Sequence, residues 1–484
     1  MAELEVGTNE WWLARLSAQL RRRATALKLY DSYYDGKHPL QFATEKFRKA
    51  FQGLFGELAD NWCPLVVDAV EERLNIRGFR IPQDDQADAS GPGDRDAWRI
   101  WQANALDAFS QIAHTESLIG TESYVLVWND PDDPETPAIT VEHPAQMVVE
   151  YEPGTRKRAA ALKIWRDDWT GQRMATLYLP DQIAKYQSSK AGRSILGDAR
   201  TEWIRREVDG ESWPLENPLG VVPVVPLRNK PRLLAPPVSE LKPIIPIQDA
   251  VNKLVADMLV ASEFSAVKRK WATGIEIPID PKTGQELEPF DQAIGRLWHV
   301  KSEKAQFGEF TETELQNFVT AIEMFVQHAA SQTRTPPHYF FLRGQFPSGE
   351  SIKSAETGLV AKTVRKMVYY GESWEEVLRL AFAVLDDPRA AVRSSETIWA
   401  DPESRSESEH IDAVLKKKAI GVPTEQLWED AGYSPQQIQR FKDQLAEEAL
   451  TVASSFDPFA AAPSANGGPP GVPAGAGVAG AGGP

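Results

Sequence analysis

The stretch Ile247-Gln248-Asp249-Ala250-Val251-Asn252-Lys253-Leu254-Val255-Ala256-Asp257-Met258-Leu259-Val260-Ala261 decides how the chain is organised. Ile247, Val251, Leu254, Met258 and Ala261 recur at spacings of 4, 3, 4 and 3, which predicts a helix from Ile247 to Val267 with one apolar seam for a neighbouring helix. Ala250, Val255, Leu259 and Val260 widen the apolar surface beyond that seam, so packing on more than one side is expected. Lys268-Arg269-Lys270-Trp271 then places cations at the helix C-terminus, where the backbone dipole favours each by roughly 0.3–1 kcal/mol. A phosphate or partner contact is the alternative use of that cluster.

Downstream, Ile275 to Ile277, the turn Asp280-Pro281-Lys282-Thr283-Gly284 and Leu297 to Val300 predict a small β element. A second helix opens at Thr311-Glu312-Thr313-Glu314, where Thr311 and Glu314 have capping-box spacing, and carries Leu315, Phe318, Ile322, Phe325 and Ala329 on one face. At 1.5 Å per residue each helix is about 30 Å long, so the two are expected to form a paired strut with the β element at its tip. After Thr335-Pro336-Pro337, the run Tyr339 to Ser351 is apolar at its start and punctuated by Gly and Pro, which predicts a loop. With Ser348 as N-cap, a helix is expected to run to Leu385, and Gly358 and Gly371 are candidate kinks.

Ahead of the strut, helical periodicity covers Glu10 to Lys28, Ala43 to Leu58 and Cys63 to Leu74. A polar loop spans Pro82 to Asp94. A further helix is expected from Arg95 to Ile119, with Trp98, Trp101, Leu106, Phe109 and Ile112 available as a buried stripe. From Tyr124 the period changes to short β runs: Tyr124 to Trp128, Ile139 to Glu142, Met147 to Tyr151, Ala161 to Arg166, Ala175 to Leu179, Ile183 to Gln187 and Glu202 to Arg206. Pro223, Pro226, Pro231, Pro236, Pro237, Pro243 and Pro246 then predict a rigid extended connector rather than a helix or central strand. Toward the end, helices are expected at Thr424 to Ala431 and Ser434 to Leu450, the latter with Pro435 at its first position. Residues 456–484 are almost wholly Ala, Gly and Pro, which predicts a tail without packed structure. The fold class is α+β, mainly helical.

Composition removes several functions. A net charge of −16 argues against tight phosphate binding, so any DNA must be handled loosely. The single cysteine, Cys63, and seven scattered histidines give no zinc spacing, and no metal or cofactor is expected. Four acids in Asn129 to Glu135 lack the glycine and alternating spacing of a calcium loop and read as a solvated turn. Gly192-Arg193-Ser194-Ile195-Leu196-Gly197 is followed by Asp198, not the lysine of a phosphate-binding loop, and no G-x-S-x-G elbow occurs. No enzyme activity and no catalytic residue are expected. The N-terminus lacks a basic stretch leading into an apolar core, and no run of about 18 apolar residues follows; a soluble protein made in a cell's cytoplasm, with no membrane partner, is expected.

The order of these parts, helical and β-rich region, helix, β tip, helix, loop, long helix and terminal helices, resembles the SPP1-type phage portal family. Tyr33-Tyr34-Asp35-Gly36-Lys37-His38-Pro39-Leu40 is similar to an early segment of those proteins, and Pro347-Ser348-Gly349-Glu350-Ser351-Ile352-Lys353 to the segment opening their long helix. Ser351-Ile352 stands where Ala-Leu is commoner. The resemblance spans about residues 10 to 450.

It implies a wing, stem, clip and crown architecture with a long kinked helix. Residues 1–120 would be the helical part of the wing, 121–235 its β-rich module, 236–267 connector and first stem helix, and 268–310 the clip. Residues 311–335 would be the second stem helix, 336–351 the channel loop, 352–386 the long helix, 387–455 the crown and 456–484 the tail. It also implies a dodecameric ring at one capsid vertex of the virion, a conduit for double-stranded DNA in packaging and ejection. Partners would be the terminase large subunit, the major capsid and scaffolding proteins and a head–tail adaptor. Leu342, Arg343, Gly344, Gln345, Phe346, Pro347, Ser348 and Gly349 would reach into the channel, and Arg334, Arg343 and Lys353 would touch DNA briefly. Lys268, Arg269, Lys270, Trp271, Lys282, Trp298 and His299 would meet motor or adaptor. Another structural virion protein, a minor capsid or adaptor component, is the competing reading, and a metal-dependent nuclease the enzymatic one.

Overall fold

The structure, a computed structural model, describes residues 4–38, 60–82, 93–198, 201–266, 270–274, 279, 281, 284, 304–309, 314–340, 349–403 and 407–455. It is mixed helix and sheet. Helix α1 (Asn9–Tyr34) starts where the Thr8 hydroxyl accepts the Trp11 N–H, and it continues beyond Lys28 to Tyr34. The expected helix Ala43 to Leu58 lies outside the described residues.

Helix α1 buries Leu13, Leu16 and Leu20 on an antiparallel sheet of β4 (Met147–Tyr151), β5 (Arg158–Arg166), β6 (Arg173–Tyr178), β7 (Gln182–Ser188) and β8 (Trp203–Arg205), with β9 (Leu215–Glu216) also pairing β7. Alternation along β5 divides the two faces of this sheet. Leu162 and Ile164 pack beneath α1 with Leu177 and Ala184, while Ala161 joins Tyr178 and Ile183 against Tyr124 and Val224 on the other side. Tyr124 belongs to β2 (Glu122–Trp128), the middle strand of a sheet with β3 (Ala138–Glu142) and β10 (Val224–Arg228).

Strand β10 corrects the reading of the proline passage as connector alone. Pro226 sits inside it opposite Tyr124, and because β10 is an edge strand the missing N–H leaves no central hydrogen bond unmade. A pair unforeseen in sequence joins β1 (Ile76–Arg80) to β13 (Glu396–Trp399), with Phe79 opposite Thr397.

The main core lies among α2 (Cys63–Glu71), α3 (Arg95–Ala103), α4 (Leu106–Gly120) and the long helix α8 (Gly349–Val384). Trp101 and Trp374 are both buried there, edge to face with ring centroids 5.0 Å apart. The expected single helix from Arg95 to Ile119 breaks at Ala105, which is left-handed with φ 51°, while Asn104 donates its side-chain amide to the carbonyls of Ile100 and Pro137. The break resets the helical phase. Trp98, Trp101 and Leu106 are buried as expected, but Phe109 and Ile112 face solvent, and Ala113, His114, Ser117 and Leu118 form the inner face instead.

Helix α5 (Ile245–Ala266) and helix α6 (Leu315–Thr333) pack against each other. At their far end β11 (Lys270–Thr273) and β12 (Gln306–Glu309) form an antiparallel pair. The expected strut with a β element at its tip is therefore present, but the strands sit closer to the helices than expected; the expected strands 275–277 and 297–300 lie outside the described residues. Glu314 corrects the capping-box reading: it is the extended N-cap residue itself, not the third residue of the helix. A short helix α7 (Pro337–Phe340) follows α6, and α8 then runs 36 residues, about 54 Å, as one helix through Gly358 and Gly371. After α8 come α9 (Glu407–Ala419) and α10 (Thr424–Asp430). Residues 436–484 form a separate unit, whose described part is almost all of α11 (Pro435–Ser455), a helix with proline at its first position.

Candidate channel segment and strut root

Of the residues expected to reach a channel, Leu342 to Ser348 lie outside the described residues and Gly349 opens α8. Arg334 is the left-handed C-cap of α6, exposed, with φ 57°. Lys353 is exposed on the first turns of α8, and Arg343 is not among the described residues. Of the expected clip residues, Lys268, Arg269, Lys282, Trp298 and His299 are also outside them. Lys270 and Trp271 correct the reading as a helix end: α5 stops at Ala266, and both belong to β11. Trp271 lies across Gly308 of β12, where a Cβ would meet its indole at 2.4 Å, so only glycine lets the two strands pair under that ring.

Sequence reasoning missed three polar clusters that fix the ends of the strut and of the segment 341–348. The first explains the Tyr33-Tyr34-Asp35-Gly36-Lys37-His38 motif. Tyr33 donates its hydroxyl to Asp249 Oδ1 on α5 at 2.6 Å and stacks on His38, centroids 4.2 Å apart. Asn252, one turn further along α5, donates to His38 Nε2 at 2.9 Å. Gln248 accepts the Trp62 N–H at 2.8 Å and donates to the Asp60 carbonyl. Gly36, at φ 71°, turns the chain so that Asn61 can donate to the carbonyls of Tyr33 and Tyr34 at 2.9 and 3.1 Å. Burial raises the Tyr33 and Asp249 pKa values and lowers that of His38, so the cluster favours a neutral phenol and a neutral imidazole. Polar side chains at 248, 249 and 252 inside an apolar helix were the available signal.

The second cluster grips the root of segment 341–348. Arg73 at the end of α2 donates to the Tyr339 hydroxyl at 2.7 Å and lies 3.6 Å from Glu356 Oε1 on α8. Tyr339 donates to the same carboxylate oxygen at 3.3 Å, and His338 Nε2 stands 3.7 Å from it. Tyr339 and His338 precede the segment and Glu356 follows it, so one arginine ties both of its ends to the body.

The third joins the connector to α8. Glu240, 1% exposed, receives Lys366 at 2.7 Å on Oε1, and Lys362 at 2.8 Å and Lys230 at 2.9 Å on Oε2. Lys362 also donates to the Thr333 carbonyl at 3.0 Å, the C-terminal turn of α6. Burial opposes the charge of Glu240, but Lys362, Lys366 and Lys230 outweigh it and hold the carboxyl well below its ordinary range. Burial pulls Lys366 down to about 8 in spite of Glu240. One carboxylate thus holds α8, the end of α6 and the connector in one register.

The acids of Asn129 to Glu135 serve their own turn: Asp130 and Asp133 accept the N–H groups of Asp132 and Glu135. Among the described residues no group of three or more His, Cys, Asp or Glu is placed to hold a metal ion, and no helix is long and apolar enough to cross a membrane.

The family comparison identifies the class: the chain belongs to the family described as phage portal protein, SPP1 Gp6-like, whose model matches residues 13–450. It is 31% identical over 406 residues to the portal protein of Mycobacterium phage D29, covering 80% of this chain and 78% of that one. To the portal protein of Mycobacterium phage L5 it is 29% identical over 439 residues, covering 86% and 84%. The family is a structural one and its members are virion components of tailed phages.

Proposed function

We propose that twelve copies of this chain close into a ring at a single capsid vertex and conduct double-stranded DNA inward during packaging and outward during ejection. The observation that carries this reading is the α5–α6 strut capped by β11–β12 and followed, after α7, by a segment 341–348 whose flanking residues Tyr339 and Glu356 are joined by Arg73. In one copy the strut leaves Leu259 and Met324 exposed, which suits helices that find further neighbours when copies are arranged about an axis.

On this reading α5 and α6 are stem helices, and residues 268–310 are the clip, docking the terminase large subunit and later a head–tail adaptor. Residues 336–351 form the channel loop, with Leu342 to Gly349 reaching into the channel, α8 is the spine of the wing, and α9 to α11 contribute to the crown. The net charge of −16 suits a conduit that repels the duplex from all sides and lets it slide, with Arg334, Arg343 and Lys353 making brief phosphate contacts. Scaffolding and major capsid proteins would meet the wing. Electron microscopy of the purified protein tests the reading: rings with a central hole support it, and filaments or monomers at all concentrations overturn it.

A further inference from the structure

Between β10 and α5 the chain makes an excursion whose root is among the most fixed parts of the molecule and whose tip is among the most exposed. Asn229 and Glu240 are 0% and 1% exposed. The Val238 N–H donates to the Asn229 carbonyl at 3.2 Å, the Asn229 side chain returns a bond to the Val238 carbonyl at 2.7 Å, and the Glu240 N–H reaches the Leu118 carbonyl at 2.9 Å. A β-bridge pairs Arg232 with Ala235, and Pro231, Pro236 and Pro237 limit the backbone further. At the tip Leu233 is 95% exposed and Leu234 102%. A stiff turn that presents two adjacent leucines to water is an unfilled contact rather than scattered surface apolarity.

The same root packs on α8 through Lys362 and Lys366. Roughly half a turn round that helix, at 100° per residue, lies a face that none of the described residues covers. Thr357, Ala361, Val364 and Val368 are exposed along it, Val364 at 46% and Val368 at 59%. Arg365 flanks the stripe, and Glu372, also exposed, stands one turn beyond Val368, an acid that suits Arg232 beside the leucine tip. Knob and stripe therefore occupy different sides of one helix. Two complementary patches that do not coincide make a head-to-tail contact, which closes into a ring when the rotation between copies divides a full turn.

We propose that Leu233 and Leu234 of one copy seat on the Ala361–Val364–Val368 stripe of the next, with Arg232 beside Glu372 of that next copy. The occupant is a second copy of this chain, and the proposal rests on the ring reading above.

Paired cysteines test it. Cys63, buried and with its thiol pushed up to about 12 by burial, stays silent. Full-length protein carrying both Leu234→Cys and Val368→Cys is oxidised after assembly and run without reductant. A ladder of covalent multimers is expected from the double variant and none from either single variant. A Leu233→Asp, Leu234→Asp variant should assemble only at a concentration at least tenfold higher, with an unchanged thermal midpoint. Rings that form without a ladder overturn the knob and leave the ring reading standing, and covalent dimers from Leu234→Cys alone overturn the head-to-tail geometry. Binding of wild-type protein to anionic phosphatidylserine vesicles, abolished in the aspartate variant while its rings form normally, assigns the tip to a lipid surface and overturns the proposal. Wild-type protein that forms no ring at any concentration removes the ring reading and the proposal with it.

Discussion

Lys366 Nζ lies 2.7 Å from Glu240 Oε1 with both side chains almost wholly out of water, so a buried ion pair joins the connector to the long helix beside the apolar core that Leu241 and Ile244 share with Leu359 and Tyr370. Removing the acid leaves Lys362 and Lys366 buried beside each other. Glu240→Gln should cost about 3–5 kcal/mol of stability, as for other broken buried ion pairs. Urea unfolding of the two proteins measures it; a loss below about 1 kcal/mol would show that water replaces the carboxylate.

The same cluster sets a pH dependence. Glu240 is held below its ordinary 4.5 in the folded chain, so its contribution is complete above that pH and fades as pH falls below it toward the folded value. Lys366 titrates near 8 when folded against 10.5 when free, so between those values the folded chain sheds a proton that the unfolded chain keeps, and stability rises with pH. Thermal melting across pH should show a flatter acid limb in Glu240→Gln and a flatter rise from pH 8 to 10.5 in Lys366→Met.

Tyr33→Phe deletes the hydroxyl that serves Asp249. A buried acceptor left unsatisfied costs about 1–3 kcal/mol, and Asp249→Asn should recover little because the amide keeps no partner once the phenol is gone. A double-mutant cycle by denaturant unfolding gives the coupling between positions 33 and 249; additive losses would refute a direct bond.

Arg73 ties Tyr339, ahead of segment 341–348, to Glu356, beyond it, and on the proposed reading it is a positioning residue for the channel loop. Arg73→Met should leave ring assembly unchanged in electron micrographs and lower DNA packaged per particle about tenfold or more. Arg73→Lys should rescue poorly, since an ammonium cannot reach hydroxyl and carboxylate with one planar group. Packaging at wild-type yield in Arg73→Met would separate the grip from function.

Deletion of Leu342 to Gly349 should still give rings and block packaging in an assembly assay with motor and procapsid. Normal packaging by the deletion would remove the channel role from this segment.

Much of the architecture was readable because it follows short-range periodicity. The 4, 3, 4, 3 spacing from Ile247, the seam from Leu315 to Ala329 and the alternating runs from Tyr124 to Arg206 each locate an element within a few residues. What escaped depends on partners distant in sequence. Strand β1 has no recognisable pattern without β13, 316 residues later at Arg80 and Glu396. Pro226 argued against a strand because edge position cannot be read from one segment. The phase reset at Ala105 turned Phe109 and Ile112 outward, and a single left-handed alanine leaves no mark in composition. For the candidate site, the family motif around Gly36 was visible but its purpose was not, since Asp249 and Asn252 receive it from another helix. The grip of Arg73 on Tyr339 and Glu356 had no local signal at all.

The pairing of β1 with β13 also bears on biosynthesis. A ribosome adding 5–20 residues per second needs on the order of half a minute to travel from the first strand to the second. Throughout that interval Phe79 has no Thr397 to face it, and the nascent chain carries an open edge that closes only after the strut and the long helix have emerged. The seam is a late lock: subunits cut short by premature termination before residue 396 would keep an unpaired strand where finished ones have none.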